Sequence, residues 1–571
     1  MERNLILAIV FSVVIILGFQ YFFQTFSPPP AKKPEEITEP AKKAKQPEEP
    51  AKVSREPEAP RATPLEAPSK PEATPPVSGP SPVKEKLVTI ETPKYEALVS
   101  SVGARIVSFK LKNYTVGLKD TEPVNLFDQT GPDTSGPTID FTRRDETFKD
   151  EKLGYECDAD AAAIKLNEAT PNKAITFRTT TAGGLVIAKT FTFHADSYAV
   201  DFKLTLTNES GEDRNYLITF PWRKVYTVDP SNRFVWNSAE ILLDGVLKDY
   251  QVADIKGEEE PSGTVEWAGL GDVYFFKALV FDKKPATKVT LFKPTKEGLA
   301  EIWIRYGGVD LPKGQPVEND LMLYLGPKKT SSLEAAGHNL SRALQYSSYR
   351  ILDIMAEYLL KFLRFCNTGF QVFGIKIPGT GNWGIDIIIL TVFIKILFIP
   401  LTHKSMKSMK RMQDLQPQMT KLKEKYKDDK AAQNKATMEL FREHKVNPLG
   451  GCWPMFLQFP VFIALYQALS YAIELRHAPF ICLPSIYLCI NDLSAPDPYY
   501  VTPVLMGATM VLQQWMTPSA GDPTQKKMML LMPVFFTYLF LSFPSGLVLY
   551  WLVSNVLSIG QQMITNRMMA R

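Results

Sequence analysis

Apolar residues follow three different patterns along the chain. Near the N-terminus one uncharged run, Leu5 to Phe23, stands alone. From Lys86 to about Ser341 apolar and polar positions alternate in short stretches: Val200, Phe202, Leu204 and Leu206 are interleaved with Asp201, Lys203, Thr205 and Thr207. A period of two marks strands with one buried face, and Ala182-Gly183-Gly184 reads as a turn between two such runs. Short strands over 86–345 predict a sandwich of two sheets. Beyond residue 350 the pattern changes to long apolar runs, so the chain is a membrane protein with a large soluble part.

The apolar runs predict six membrane spans. The first, within 1–26, lacks a small-residue cleavage site and reads as an uncleaved anchor, with a cleaved signal peptide as the alternative. The others are 382–402, 449–475, 499–516, 528–543 and 546–564, the last two joined at Pro544-Ser545 in a tight hairpin. The segment 27–85, rich in Pro, Lys and Glu, predicts an extended tether. Ile351 to Phe373, within a segment bounded at 351–374, places Asp353, Glu357, Lys361 and Arg364 on one helical face and predicts an amphipathic helix lying in the membrane surface. The segment 403–446 carries Lys404, Lys407, Lys410 and Arg411 among twelve basic residues against six acids, which places it in the cytoplasm. Asp428-Asp429 divides it into a helical hairpin, Pro417 kinks the first arm, and Met406, Met409, Met412 and Met419 form a stripe. The same charge rule puts the linker, the β domain and the loop 476–498 outside, and both termini, including the tail 565–571, inside.

Lys395 changes the picture most. It lies within Asn382 to Thr402, NWGIDIIILTVFIKILFIPLT, where a charge costs about 2.5–3.5 kcal/mol to insert. Thr391 and Thr402 share its helical face. Two readings stand: Lys395 lines a polar groove, or its ammonium snorkels to the cytoplasmic edge about 10 Å away. Other polar residues set in the spans, Gln458, Gln467, Thr509, Gln513 and a stripe at every fourth residue, Ser554, Ser558 and Gln562, with Asn555 beside it, are enough to wet such a groove.

Composition narrows the function. Lys and Arg number 65 against 61 Asp and Glu, so no basic field points to nucleic acid. The five cysteines, Cys157, Cys366, Cys452, Cys482 and Cys489, show no metal-ligand spacing, and no cofactor or metal is expected. The β region holds only His194 and His338 and no nucleophile arrangement or phosphate loop, which argues against an enzyme. An ion-coupled transporter using Lys395 and Asp386 is the alternative reading, although the spans show no internal repeat.

In NWGIDIIILTVFIK, Asn447-Pro448-Leu449-Gly450-Gly451-Cys452, Gln458-Phe459-Pro460, Asp497-Pro498-Tyr499-Tyr500 and Phe543-Pro544-Ser545-Gly546-Leu547 the chain resembles the bacterial membrane protein insertases of the YidC/Oxa/Alb family, in the long Gram-negative form. The resemblance implies a polytopic α-helical protein of the inner membrane with six spans. Five of these surround a hydrophilic groove open to cytoplasm and lipid, and the periplasmic domain is a β-supersandwich. It implies newly made membrane proteins as substrates, the Sec translocon as a partner, and a ribosome or targeting receptor meeting the hairpin at Lys404, Lys407, Lys410, Arg411, Met406 and Met409. The groove charge of the family is usually an arginine, and Lys395 takes the matching position. Ile481 to Ile490 resembles an insertion on the outer side, where Cys482 and Cys489 either form a local disulfide or remain unpaired thiols. The tail after Ile564 lacks the basic extension of some relatives.

Overall fold

The computed structural model describes residues 85–570 apart from 119, 128–132, 145, 227–236, 282–285, 296–297, 348, 373–374, 428, 445, 447–452, 484–487 and 517–522. The anchor expected in 1–26, nearly all of the linker and the Asn447–Cys452 motif lie outside the described residues.

Among the described residues, alternation along the first half becomes three sheets rather than two. The largest runs, in spatial order, through Val246–Gln251, Ser238–Leu243, Val265–Gly271, Phe275–Phe281, Pro316–Pro327, Ala199–Asn208, Leu185–His194, Asn172–Thr180 and Glu156–Cys157. In its centre Phe202 stands opposite Phe191 on one neighbour and Leu321 on the other. The alternating residues Val200, Phe202, Leu204 and Leu206 are fully buried there. A second sheet orders Lys288–Leu291, Leu299–Leu311, Arg214–Val225, Asp140–Arg143 and Glu146–Lys149. The third, Pro123–Asn125, Arg105–Thr115, Tyr95–Ser100, Leu87–Glu91 and Ala163–Lys165, separates because Leu87–Glu91 takes a short parallel partner from Ala163–Lys165 instead of joining a long strand. One apolar core joins all three sheets, including Val88, Phe109, Phe191, Trp222 and Trp267.

That core encloses a lysine. Lys189 and Asp150 are both fully buried and pair at 2.6 Å, and Lys189 Nζ also donates to the carbonyls of Gly103 at 2.7 Å and Pro137 at 3.0 Å. Asp150 accepts from the amide of Ile139 at 2.7 Å and the hydroxyl of Tyr155 at 3.1 Å. Burial, reinforced by Asp150, holds the Tyr155 phenol well above its ordinary range, so it remains a donor.

The helices follow: α1 (Thr330–Ala336), α2 (Arg350–Thr368), α3 (Trp383–Asp414), α4 (Gln416–Lys425), α5 (Lys430–Glu443), α6 (Trp453–Tyr471), α7 (Val501–Met516), α8 (Pro523–Phe540) and α9 (Ser545–Ala570). Helix α2 stops before the expected Phe373 because Gly369, at φ 76°, lets the chain turn into a hairpin of Gly369–Val372 with Ile375–Pro378. Its Ala356, Leu360 and Leu363 are buried in the helical core, while Ile351, Ile354, Tyr358 and Phe365 form an exposed apolar stripe. Asp353 does not simply face solvent: it accepts from the amide of Tyr346 at 2.8 Å and fixes the entry to α2.

Helix α3 overruns its expected end at Thr402 by twelve residues, to Asp414. Nothing between Thr402 and Asp414 breaks a helix, and Arg411 in the last turn suits the negative end of the dipole. The break comes at Leu415, where Pro417 enters the first turn of α4. Asp429 caps α5 by accepting from the amides of Ala431 and Ala432, both at 3.0 Å. Leu415, Met419, Leu440, Phe441 and Val446 give the α4–α5 hairpin a small core of its own, against which Met412 packs.

Among the described residues two helices, α3 and Ser545–Met568 of α9, are long and apolar enough to cross a membrane, and the apolar parts of α6 and α8 are shorter. The connection from α8 to α9 is longer than the expected Pro544-Ser545: it comprises Leu541 to Pro544, and Ser545 already begins α9. It is pinned to the Asp492–Ala495 stretch, since Ser545 donates its amide to Ala495 O at 2.8 Å and its hydroxyl to Asp492 O at 2.8 Å. Asp497 holds the start of α7 by accepting from the amide and hydroxyl of Thr502, both at 2.8 Å.

Candidate functional site: a polar seam at Lys395

Lys395 reaches across from α3 to α9. Its Nζ donates to Ser558 Oγ on α9 at 2.7 Å, and Ser558 in turn donates to Ser554 O at 2.8 Å. From α6, Gln458 Nε2 reaches Ser554 Oγ at 3.3 Å and Tyr550 Oη at 3.4 Å. One turn or so beyond, Gln561 Nε2 donates to Thr402 Oγ1 at 2.6 Å. Lys395, Gln458, Ser558, Gln561 and Thr402 are all half-buried, so the seam is reachable rather than sealed. Thr391, by contrast, is buried and spends its hydroxyl on Ile387 O of its own helix at 2.6 Å.

The other expected lining residues face a different seam. Asn555 Nδ2 donates to Thr509 Oγ1 at 3.3 Å, and Gln562 Nε2 to Met516 O at 2.7 Å, both tying α9 to α7. Gln513 lies half-buried one turn beyond Thr509. Helical geometry explains the division: at 100° per residue, Ser558 and Gln561 stay within about 40° of Ser554, whereas Asn555 and Gln562 lie about 80–100° round the axis. Spacing by fours alone put Gln562 in the wrong row and missed Gln561 and Tyr550.

The contacts of α9 also set helix directions. Along α3 they run 395 with 558 and 402 with 561, and along α7 they run 509 with 555 and 516 with 562, in the same order. Along α6 the order reverses, with Gln458 on Ser554, Phe462 on Trp551 at 4.8 Å and Tyr466 on Phe543 at 5.6 Å. Thus α3, α7 and α9 are parallel and α6 is antiparallel to them.

Asp386 is no partner of Lys395. Two and a half turns away along α3, it is buried and accepts from Asn367 Nδ2 at 2.7 Å and Thr380 Oγ1 at 2.5 Å, bracing the hairpin that follows α2. Lys404, Lys407 and Arg411 are exposed on the extension of α3, with Met406, Met409 and Lys410 half-buried beside them. Of Cys482 and Cys489 the backbone alone is described: they stand opposite each other in a short hairpin.

At the other end of the helical core Arg476 reaches into the β domain. Its Nη2 donates to the carbonyls of Thr115 at 2.7 Å and Val116 at 2.8 Å, and its guanidinium lies 5.5 Å from the Phe275 ring centre. Burial, and Arg476 beside it, hold the neighbouring His477 below the ordinary imidazole range, so the joint carries one cation rather than two. Nothing in the sequence marked Arg476.

Apolar helices with a cation in a polar seam, joined to a large β domain, define a helical membrane protein with an extramembrane domain. A family model for the 60Kd inner membrane protein matches residues 376–571, and one for the YidC periplasmic domain matches 87–362. A membrane protein insertase YidC of Syntrophus aciditrophicus is 38% identical over 99% of this chain and 100% of its own length. Another, from Geobacter metallireducens, is 38% identical over 100% of this chain and 99% of its own. A crystal structure of an active YidC insertase with its first transmembrane domain resolved is 19% identical, with 85% of this chain and 93% of that one covered and a TM-score of 0.35. The chain belongs to the YidC family of membrane protein insertases.

Proposed function

We propose that this insertase works by offering the Lys395 ammonium, inside a polar seam between α3, α6 and α9, to the short translocating tail of a newly made membrane protein. It is an inner-membrane insertase and not an enzyme, and its substrates are membrane proteins. The observation that carries the reading is the bond from Lys395 to Ser558: a neutral hydroxyl orients the charge without cancelling it.

An acidic tail entering from the cytoplasm is drawn to Lys395 while its apolar segment stays against lipid. Gln458 and Ser554 supply hydrogen bonds to backbone that would otherwise be stranded in hydrocarbon. Release follows as the apolar segment partitions into lipid, at about 25 cal/mol per Å² buried. Thr509, Gln513, Asn555 and Gln562 form the side of the groove that holds α7 to α9, and Thr391 stiffens α3.

Six spans, with both termini in the cytoplasm and the β domain and the 476–498 loop outside, are part of the proposal. The parallel sense of α3, α7 and α9 and the opposite sense of α6 support it, because spans two, four and six of such a chain must run outside to inside and span three the reverse. On that topology Lys404, Lys407, Lys410, Arg411, Met406 and Met409 meet the substrate, the ribosome or a targeting receptor in the cytoplasm. Sec translocon components and the lipid bilayer complete the partners. The transporter reading is not favoured, since Asp386 is engaged elsewhere.

Reconstitution into liposomes tests the proposal. A small single-span substrate with an acidic tail becomes protease-protected with the wild-type protein and no solute gradient. Normal protection with a Lys395→Glu variant would overturn the charge mechanism.

A further inference from the structure

Phe480, at the base of a short hairpin, packs on the start of the lysine-bearing helix. Asn382, which caps α3 by accepting from the amides of Gly384 and Ile385, donates its own Nδ2 to Phe480 O at 3.0 Å. Gly384 packs so closely on Phe480 that a side chain there would overlap the ring. The base of the hairpin is closed by the amide of Phe480 donating to Ile490 O at 2.9 Å and that of Ile490 to Ile481 O at 2.9 Å. Above it, Cys482–Leu483 pairs antiparallel with Leu488–Cys489, Cys482 opposite Cys489 and Leu483 opposite Leu488.

Opposed residues of an antiparallel ladder have Cα atoms about 4.5–5.5 Å apart, within the roughly 4.4–6.8 Å that a disulfide spans. They also share one face of the ribbon. A register shifted by one residue would separate them. The ladder therefore does for these two cysteines what a loop of the same length would not.

We propose that Cys482 and Cys489 form an intramolecular disulfide that staples this hairpin over the cap of α3, at the outer end of the groove helix. The inference rests on the topology above, which puts 476–498 on the oxidising side of the membrane. In the reaction one thiolate attacks a disulfide of a protein thiol oxidant, and the second thiolate displaces the mixed disulfide. The S–S bond forms as the two cysteines lose two electrons and two protons, and the oxidant takes up both as a dithiol.

Full-length protein is taken from growing cells with free thiols trapped by an alkylating reagent at harvest, then cleaved between the two cysteines without reduction. Fragments carrying Cys482 and Cys489 stay joined until a reductant is added. A membrane-impermeant maleimide applied to intact spheroplasts labels Cys489 in a Cys482→Ser variant. If both cysteines of the unreduced wild type carry the alkylating group while that variant is labelled from outside, the disulfide is wrong and the topology stands. If the variant is labelled only after lysis, the topology fails and the inference with it.

Discussion

Lys189 and Lys395 are both withdrawn from water and, on the proposed mechanism, for opposite ends. Lys189, inside the β domain, is fully enclosed and meets a carboxylate and two carbonyls, with the carboxylate itself satisfied by Ile139 and Tyr155. Lys395, inside the helical core, is half-buried; among the described residues it has one hydroxyl partner and no carboxylate. A cation that holds a fold together is neutralised, because an unpaired charge in a dry core costs several kcal/mol. A cation meant to attract a mobile carboxylate must be left with its charge uncancelled. Burial and pairing together, rather than burial alone, separate Lys189 from the role proposed for Lys395.

The comparison breaks first at the structural end. Asp150→Ala leaves Lys189 enclosed without its counter-charge and is expected to destabilise the β domain by about 3–5 kcal/mol. The lowered unfolding midpoint of the purified protein measures it. A loss below about 1 kcal/mol would mean that the pair is not what holds Lys189 in the core. Arg476→Ala comes next: it removes two charge-assisted bonds to Thr115 and Val116, each in the class of about 1.5–3 kcal/mol, from a half-buried site. Limited proteolysis of the 472–478 segment should quicken, while liposome insertion falls less than when Lys395 is changed. An equal fall in insertion would make the joint part of the working machinery.

How much of this was legible depended on whether a residue acts within its own element or across elements. Lys395 stood out because a charge in an apolar helix is costly wherever its partner lies. The burial of Val200, Phe202, Leu204 and Leu206 followed from alternation, since each strand residue already knows its face. The third sheet did not, because a three-residue parallel pairing of Leu87–Glu91 with Ala163–Lys165 leaves no local trace. Arg476 was silent for the same reason: its carbonyl partners at Thr115 and Val116 are about 360 residues away, and carbonyls carry no sequence signature. On α9 the failure was of phase, since rows read at every fourth residue drift by about 40° a step and carry Gln562 away from Ser554.

At the working end, Lys395→Ala should lower insertion of an acidic-tailed substrate about tenfold, equivalent to ~1.4 kcal/mol and well inside what one charge pair supplies at an effective dielectric near 20. Lys395→Arg should insert nearly as well as wild type, since charge rather than shape is required. Neither change should move the unfolding midpoint appreciably, in contrast to Asp150→Ala. A Lys395→Ala protein that unfolds early would collapse the distinction between the two lysines.

The smallest effect is the sharpest. Ser558→Ala removes the hydroxyl that aims Lys395 across the seam and leaves the charge itself, so insertion should fall only about two- to threefold, or ~0.5 kcal/mol. Because Ser558 acts through Lys395, its removal in a Lys395→Ala background should change nothing further, and the four proteins of the cycle read out that coupling. Ser558→Thr, which keeps the hydroxyl, should restore insertion. If Ser558→Ala impaired insertion equally with and without the lysine, Ser558 would be a packing residue of α9, and the orientation of Lys395 would have to come from the groove as a whole.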